Sequence, residues 1–584
     1  MNHTAAAALT FTWAGMTLAA CQLVGDITDR SLAAPDDDAA SSTHLPSDAH
    51  AVDAKGAPDG NGAPDAGGPD ALVEDAGNDA PPGCLTNAEC TALATSEGPF
   101  EAGVSDGGSD ASTFNGTLDG GVVPAVCVQS IGQCARLLTP DCRAVYGDYL
   151  NDNSILVGTI FNTTGSLAGS NIPRQEAALL AAQEINSSVS GGGIPGVDGG
   201  PVRPLLVVEC DPTANTLRTA SHLADDLHAA AVVGPNVAED ALNITQQVSA
   251  SAGMLLMSPT VPIDPVTNLK DNGLTWRDIP SDHQRAPLYA DQIGALVTQL
   301  TSSRGSNLKL GVIVRSDALG QSALNAISSV PFGAPGQTVG SPGNSVSIDE
   351  YALSDTAAQA QIATKYATTF IPDIVFVIAQ EAVASVVIPL EKQLNSANHA
   401  NKPYYIATDT AKTAGWLAVP SGVATDFPAR VRGVGVTPDA TSTPIFNSFN
   451  AAFSGYYGSN PGTSGMGPSY DAMYSIAYAI AAVGGAPITG ASIAQGLNQL
   501  DYGTAFDVGA TMASGAFQAL ATSGHVALQG TFTLMHWDNN GDVLGGTLQV
   551  WCVSTSGAAP TFAASGRNLD LTSMQISGTY TQCN

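Results

Sequence analysis

The chain has 584 residues and a formal net charge of −32 at pH 7, with 20 Lys and Arg against 52 Asp and Glu. So few cations exclude nucleic-acid binding, which relies on basic side chains to displace condensed counterions. A hydrophobic fraction of 44% is ample for a sizeable core, and the length allows about three or four domains, part of it visibly not core.

Ala5 to Ala20 is mostly apolar, too short for a membrane span, and closes with Leu18-Ala19-Ala20-Cys21. Residues 1–20 resemble a bacterial lipoprotein signal, cut before Cys21, which then carries lipid and anchors the chain to a membrane. Met1-Asn2-His3-Thr4 lacks the usual Lys or Arg, so an ordinary secretory signal, or a start codon that hides basic residues upstream, stays open. Gln22 follows that cysteine in place of the aspartate that often marks inner-membrane retention, which favours the outer membrane. Residues 21–83 then repeat Ala, Asp, Gly and Pro, as in GAPDGNGAPDAGGPDA. Such a stretch buries too little apolar surface to offset its ordering entropy and is expected to be a disordered tether.

Beyond Cys21 there are eight cysteines: Cys84, Cys90, Cys127, Cys134, Cys142, Cys210, Cys552 and Cys583. An even number in an exported chain points to disulfides, with connectivity open; Cys552 with Cys583 would tie a tail to the last strand. No CxxC pair or His in finger register supports zinc. Residues 84–151 are expected to form a small cysteine-stapled module, either a cap on the main domain or a small interaction domain.

From residue 152 onward the pattern is α/β. Apolar runs at Ile155–Ile160, Leu205–Cys210, Ala231–Val233 and Leu255–Ser258 alternate with helical periodicity, and Leu308–Val314, Asp373–Ala379, Tyr404–Ala407 and Val431–Thr437 repeat the theme. Continuous apolar strands between helices predict parallel sheets covered on both faces, whose strand ends form a ligand crevice. Asn540-Gly541 between two alternating runs predicts a hairpin. Gly191–Gly196 fits G-x-G-x-x-G but follows a helix, the reverse of the dinucleotide context, and Asp538–Asp542 lacks the closing glutamate of a calcium loop. There is no HExxH and no G-x-S-x-G elbow. No catalytic residue, metal or cofactor is expected.

The phrases Thr164-Gly165, Glu184–Asn186 with Gly192–Gly196, Glu209–Pro212, Val233-Gly234-Pro235, Ser258-Pro259, Trp276-Arg277, Pro280-Ser281-Asp282, Pro372-Asp373, Ser469–Ala472 and Trp537-Asp538 through Gly541-Asp542 occur in order along residues 152–553. This series resembles the type I periplasmic binding proteins, in particular the branched-chain amino-acid (leucine)-binding group. The resemblance implies two doubly wound α/β lobes joined by three crossovers: lobe one about 152–282 and 437–500, lobe two about 283–436 and 530–553, within a domain running to 584. It implies a solute-binding protein that closes on a small polar ligand, an amino acid or a related amide or organic acid, and passes it to an ABC-type permease. A ligand-sensing lipoprotein working with a membrane sensor is the alternative.

Carried over residue by residue, the resemblance places ligand contacts at Thr164, Asn236, Ser258, Thr260, Gln380, Asp409 and Tyr470. The family's Gly-Pro-x-x-Ser loop is Gly234-Pro235-Asn236-Val237-Ala238 here and has lost its hydroxyl, and an aromatic turn has become Asp317-Ala318-Leu319-Gly320. Asp409 falls near the family's ammonium-binding carboxylate, with a helix N-cap as the alternative. For Tyr470 the alternative is core packing.

Overall fold

A computed structural model describes residues 83–98, 117–118, 121–188, 192–341, 343, 345–557, 559–581 and 583. The signal, the lipidation candidate Cys21 and the tether lie outside the described residues.

The first sheet contains β3 (Cys142–Tyr146), β4 (Ile155–Ile160), β5 (Leu205–Cys210), β6 (Ala231–Val233), β7 (Leu255–Ser258) and β8 (Thr275–Arg277) in the order β3-β5-β4-β6-β7-β8, where β1 (Ala125–Val128) and β2 (Gln133–Arg136) form a separate hairpin. The second contains β9 (Leu310–Arg315), β10 (Val346–Tyr351), β11 (Ile374–Val377), β12 (Tyr404–Ala407) and β13 (Val431–Thr437) in the order β10-β9-β11-β12-β13. Within those five, and within β5-β4-β6-β7-β8, every pairing is parallel. Both are the 2-1-3-4-5 doubly wound order, which leaves a crevice at the carboxyl ends of the strands.

β14 (Ala505–Asp507) and β15 (Ala527–Gln529) form a small pair. β16 (Thr547–Ser554), β17 (Thr561–Asp570) and β18 (Gln575–Ser577) extend the second sheet antiparallel beyond β13. The chain crosses between the lobes three times: after β8, after β13 and between β15 and β16. At the first crossover Ser281 caps the helix Asp282–Arg304 in a capping box with Gln284, a device that fixes where a helix begins.

Core packing shows which lobe each late helix serves. Phe449, Phe453, Tyr474, Phe517 and Leu520 pack with Val157, Leu205 and Val233 in one cluster. The helices Ser442–Tyr457, Met466–Ala482 and Ala510–Ser523 therefore build lobe one, which continues to β15 rather than ending near 500. Lobe two buries one cluster on each face of its sheet, as strands covered on both sides require.

The cysteine-rich stretch divides. Cys84–Cys127 and Cys90–Cys134 staple the helix Asn87–Glu97 to the β1-β2 hairpin. Cys142 instead begins β3, which pairs antiparallel with β5 and is joined to it by Cys142–Cys210. The preceding Asp141 receives a two-pronged Arg218 guanidinium at 2.6 and 2.8 Å. The stapled module thus stops short of the 151 boundary, because β3 satisfies its backbone on lobe one. Cys552–Cys583 ties the tail to β16.

The hairpin around Asn540-Gly541 packs on β8 next to the first crossover. Gly541 takes a φ of +77°, a conformation that favours glycine, and its carbonyl accepts the Arg277 N–H at 2.9 Å. Asp542 then meets the fully buried Arg277 guanidinium at 2.6 Å. Trp537 packs edge-on against Trp276 with ring centroids 5.6 Å apart. Nearby, Asp471 accepts the Thr531 N–H and hydroxyl at 2.8 and 2.7 Å, so the last crossover is fastened to the helix Met466–Ala482.

Candidate ligand-binding cleft

Between the lobes lies a cavity of about 510 Å³, within the range of small-molecule sites. Lobe one contributes Ser170 and Arg174 from the helix Ala168–Ser188, Thr260 from the loop after β7, and the segment 460–468. Lobe two contributes Gln380, beyond the carboxyl end of β11, and Asp409 and Lys412, beyond that of β12. Phe446, Phe449, Phe532 and Phe562 supply apolar wall.

Asp409 stands on no helix: the chain turns at 409–412 and the next short helix is Ala414–Trp416, preceded by Thr413. The N-cap alternative is not realised. Its Oδ2 accepts the Ser464 hydroxyl of lobe one at 3.4 Å and lies 4.0 Å from the Arg285 guanidinium. A side chain on Gly435 of β13 would meet Asp409 Oδ1 at 2.8 Å, so that glycine makes room for the carboxylate.

Arg174 donates Nε–H to the Ser464 carbonyl at 2.7 Å and Nη1–H to Asn171 Oδ1 at 2.8 Å. Gly465, with φ +90°, allows this approach: a Cβ there would lie 2.4 Å from Thr260 Cγ2 and 3.0 Å from Arg174 Nε. Burial pulls the Arg174 guanidinium down to about 10, with the Asp409 charge opposing. It remains a cation at neutral pH. Lys412 is also lowered by burial and opposed by Asp409. Its ammonium lies 5.9 Å from the Trp551 ring centroid and 5.2 Å from that of Phe562.

Behind Asp409, Arg285 and Asp282 are buried on the same helix. Burial opposes the Arg285 charge, but Tyr289, Asp409 and Asp282 outweigh it and raise its pKa. Burial pushes the Asp282 carboxyl up to about 6, with Arg285 opposing. Arg285 Nε and Nη2 have no hydrogen-bond partner among the described residues.

Of the seven residues expected at the site, the structure brings Thr260, Gln380 and Asp409 to the cavity. Ser258 is buried and donates to the Pro235 carbonyl at 2.8 Å. Asn236 Oδ1 accepts the Asn162 N–H at 3.0 Å, and the Asn236 carbonyl accepts the Thr260 hydroxyl at 3.3 Å; Ser258 and Asn236 thus join loops rather than line the cavity. Thr164 is exposed at the start of the short helix Gly165–Leu167. Tyr470 is buried and donates to Glu184 across the lobe-one core, so packing is its placement.

The loop Gly234–Ala238, which leads into the helix Ala238–Ile244, is covered by lobe two. Ala318 N–H reaches Glu239 Oε1 at 2.9 Å, and Ala318 and Leu319 pack on Ala238, Val261 and Ile263. Leu319 fills that side with apolar surface.

Arg174, Lys412 and Ser464 were missed. For Arg174 and Lys412 the signal was scarcity, since Lys and Arg total only 20 in 584 residues and Arg174 interrupts an otherwise uncharged helix start; Ser464 carried none. Phe562 lies beyond the stretch that carries the resemblance.

No family model matches the sequence, and no curated protein matches it. Solved structures do match. A possible leucine/isoleucine/valine-binding protein from Rhodopirellula baltica aligns at TM-score 0.50 and 15% identity over 70% of this chain and 96% of that one. The branched-chain amino acid transporter substrate-binding protein of Streptococcus pneumoniae in complex with isoleucine aligns at TM-score 0.49 and 16% identity, over 70% and 99%. A solute-binding protein from R. palustris in complex with benzoate aligns at TM-score 0.49 and 14% identity, over 74% and 99%. The likeness to the first, together with the paired 2-1-3-4-5 sheets and three crossovers, defines the fold: this chain has the type I periplasmic-binding-protein fold.

Proposed function

We propose that the protein is an extracytoplasmic solute-binding protein that captures a small polar ligand, an amino acid or a related amide or organic acid, by closure of its two lobes. One observation carries this reading: the cavity is walled by both lobes, with Arg174 from one and Asp409 and Lys412 from the other. Ligand seated there contacts both walls, so binding energy favours the closed form over the open one.

Four disulfides support an oxidising compartment. Among the described residues no helix is long and apolar enough to cross a membrane. In this reading Cys21 is the lipid anchor, the outer membrane the favoured site, the tether holds the lobes off the surface, and an ABC-type permease receives the ligand. The protein works by binding, without a catalytic step. A sensing role on the same fold is favoured by one feature: the cysteine module, continued into the edge strand β3 of lobe one, adds surface that simple capture does not use.

A thermal-shift screen of the full, oxidised chain against amino acids, amides and organic acids tests the reading. Ligand at a hundredfold over its dissociation constant adds about 2.7 kcal/mol to the folded state. A selective rise in melting temperature is expected; a flat response across the library from folded protein contradicts capture of this class.

A further inference from the structure

We infer that the cleft selects a small carboxylate of net charge −1 with an apolar body, over the free α-amino acid of the same shape. This rests on the reading of the cleft as a solute site. Among the described residues the charged groups lining the cavity are Arg174, Lys412 and Asp409. Two cations face one carboxylate, in a chain whose net charge is −32.

Asp409 is moreover already engaged. Arg285 lies 4.0 Å behind it and the Ser464 hydroxyl 3.4 Å beside it. An incoming ammonium would compete with three cations for that one carboxylate. The unmatched charge is positive. Lys412 Nζ makes no hydrogen bond with any described residue, standing over two ring faces with only the shared Asp409 charge to oppose it, and Arg174 uses Nε and Nη1 on protein oxygens and leaves Nη2 unused.

A half-buried ammonium without a hydrogen bond gains most from a ligand anion, because the drier surroundings strengthen the attraction. The apolar part of the wall, with Phe446, Phe449, Phe562 and Met466, suits an aromatic or branched aliphatic body. A neutral zwitterion brings as much positive charge as negative and leaves the excess uncompensated.

The test is calorimetric titration of the full chain at pH 7.5 with two matched sets: 3-phenylpropanoate, L-phenylalanine and 3-phenylpropanamide, then 4-methylpentanoate, L-leucine and 4-methylpentanamide. In at least one set the carboxylate binds at least tenfold more tightly than its amino acid and its amide. Lys412→Met lowers carboxylate affinity at least tenfold and leaves amide affinity unmoved; if that variant does not fold, Lys412→Gln replaces it. An amino acid or amide that binds as tightly as its carboxylate overturns the inference and leaves solute capture standing. Absence of binding by all six overturns the inference, and a flat wider screen then overturns the capture reading too.

Discussion

The carboxylate of Asp409, carried by lobe two, accepts a hydrogen bond from Ser464 of lobe one at 3.4 Å. The Ser464 carbonyl in turn accepts from Arg174. One short segment thus joins the cation of one wall to the anion of the other, and Gly465 beside it leaves room for Arg174 and Thr260.

Gly465→Ala therefore disturbs the cleft from its centre. The new methyl needs φ near +90° and meets Thr260 and Arg174, at a cost of about 1–3 kcal/mol. Gly455→Ala is the control: it lies exposed in the helix Ser442–Tyr457 with nothing near its Cβ and should stabilise by roughly 0.5–1 kcal/mol. Urea unfolding of both variants gives opposite signs.

The pair Arg277–Asp542 beside the crossovers offers a contrast between buried and exposed ions. Arg277 is fully buried and Asp542 nearly so, and removing one partner strands the other charge. Asp542→Ala is expected to cost about 3–5 kcal/mol. Glu97→Ala, which removes an exposed partner of Arg136, should cost under about 1 kcal/mol. Denaturant midpoints compare them directly.

Cys142–Cys210 closes 68 residues of separation within lobe one. The double substitution Cys142→Ser, Cys210→Ser should cost about 2–5 kcal/mol. The pair Cys84→Ser, Cys127→Ser should loosen the module and leave cleft affinity unchanged, since none of its described residues lines the cavity. Melting curves and ligand titration separate the two effects.

Stability should rise as pH falls from 8 towards 5. Burial pushes the Asp471 carboxyl up to about 7, and burial with the Glu176 charge pushes Glu209 up to about 7. A carboxyl raised in the folded state binds its proton more tightly there than in the unfolded chain. Its contribution is fully present below the unfolded pKa near 4 and is lost as pH rises through about 7. Melting temperatures across pH 5–8 should follow this slope, and Asp471→Asn should flatten it.

The repeated strand-helix alternation made both sheets legible, because strands covered on both faces must be continuous apolar runs such as Leu205–Val208. The reach of lobe one was less visible. The helix Ala510–Ser523 reads as a small-residue stretch until Phe517 and Leu520 are seen on the lobe-one core. The strand β3 was hidden for a related reason: its five residues have one partner strand, 60 positions away or more, and no local signal of the sheet they join. At the site, Gln380 and Asp409, which the resemblance put just beyond strand ends, line the cavity, whereas Ser258 and Tyr470, carried over in the same way, are bonded within the fold. Whether a loop side chain faces a cavity depends on packing across lobes, as Leu319 against Ile263 shows, and no local pattern encodes that.

The central claim is that one ligand bridges the two walls. Hydrogen exchange of the full chain, with and without a compound that raises its melting temperature, tests it most directly. The account predicts joint protection of amides at 464–466 in lobe one and 408–414 in lobe two. Protection confined to one lobe, or found only away from the cleft, would contradict it.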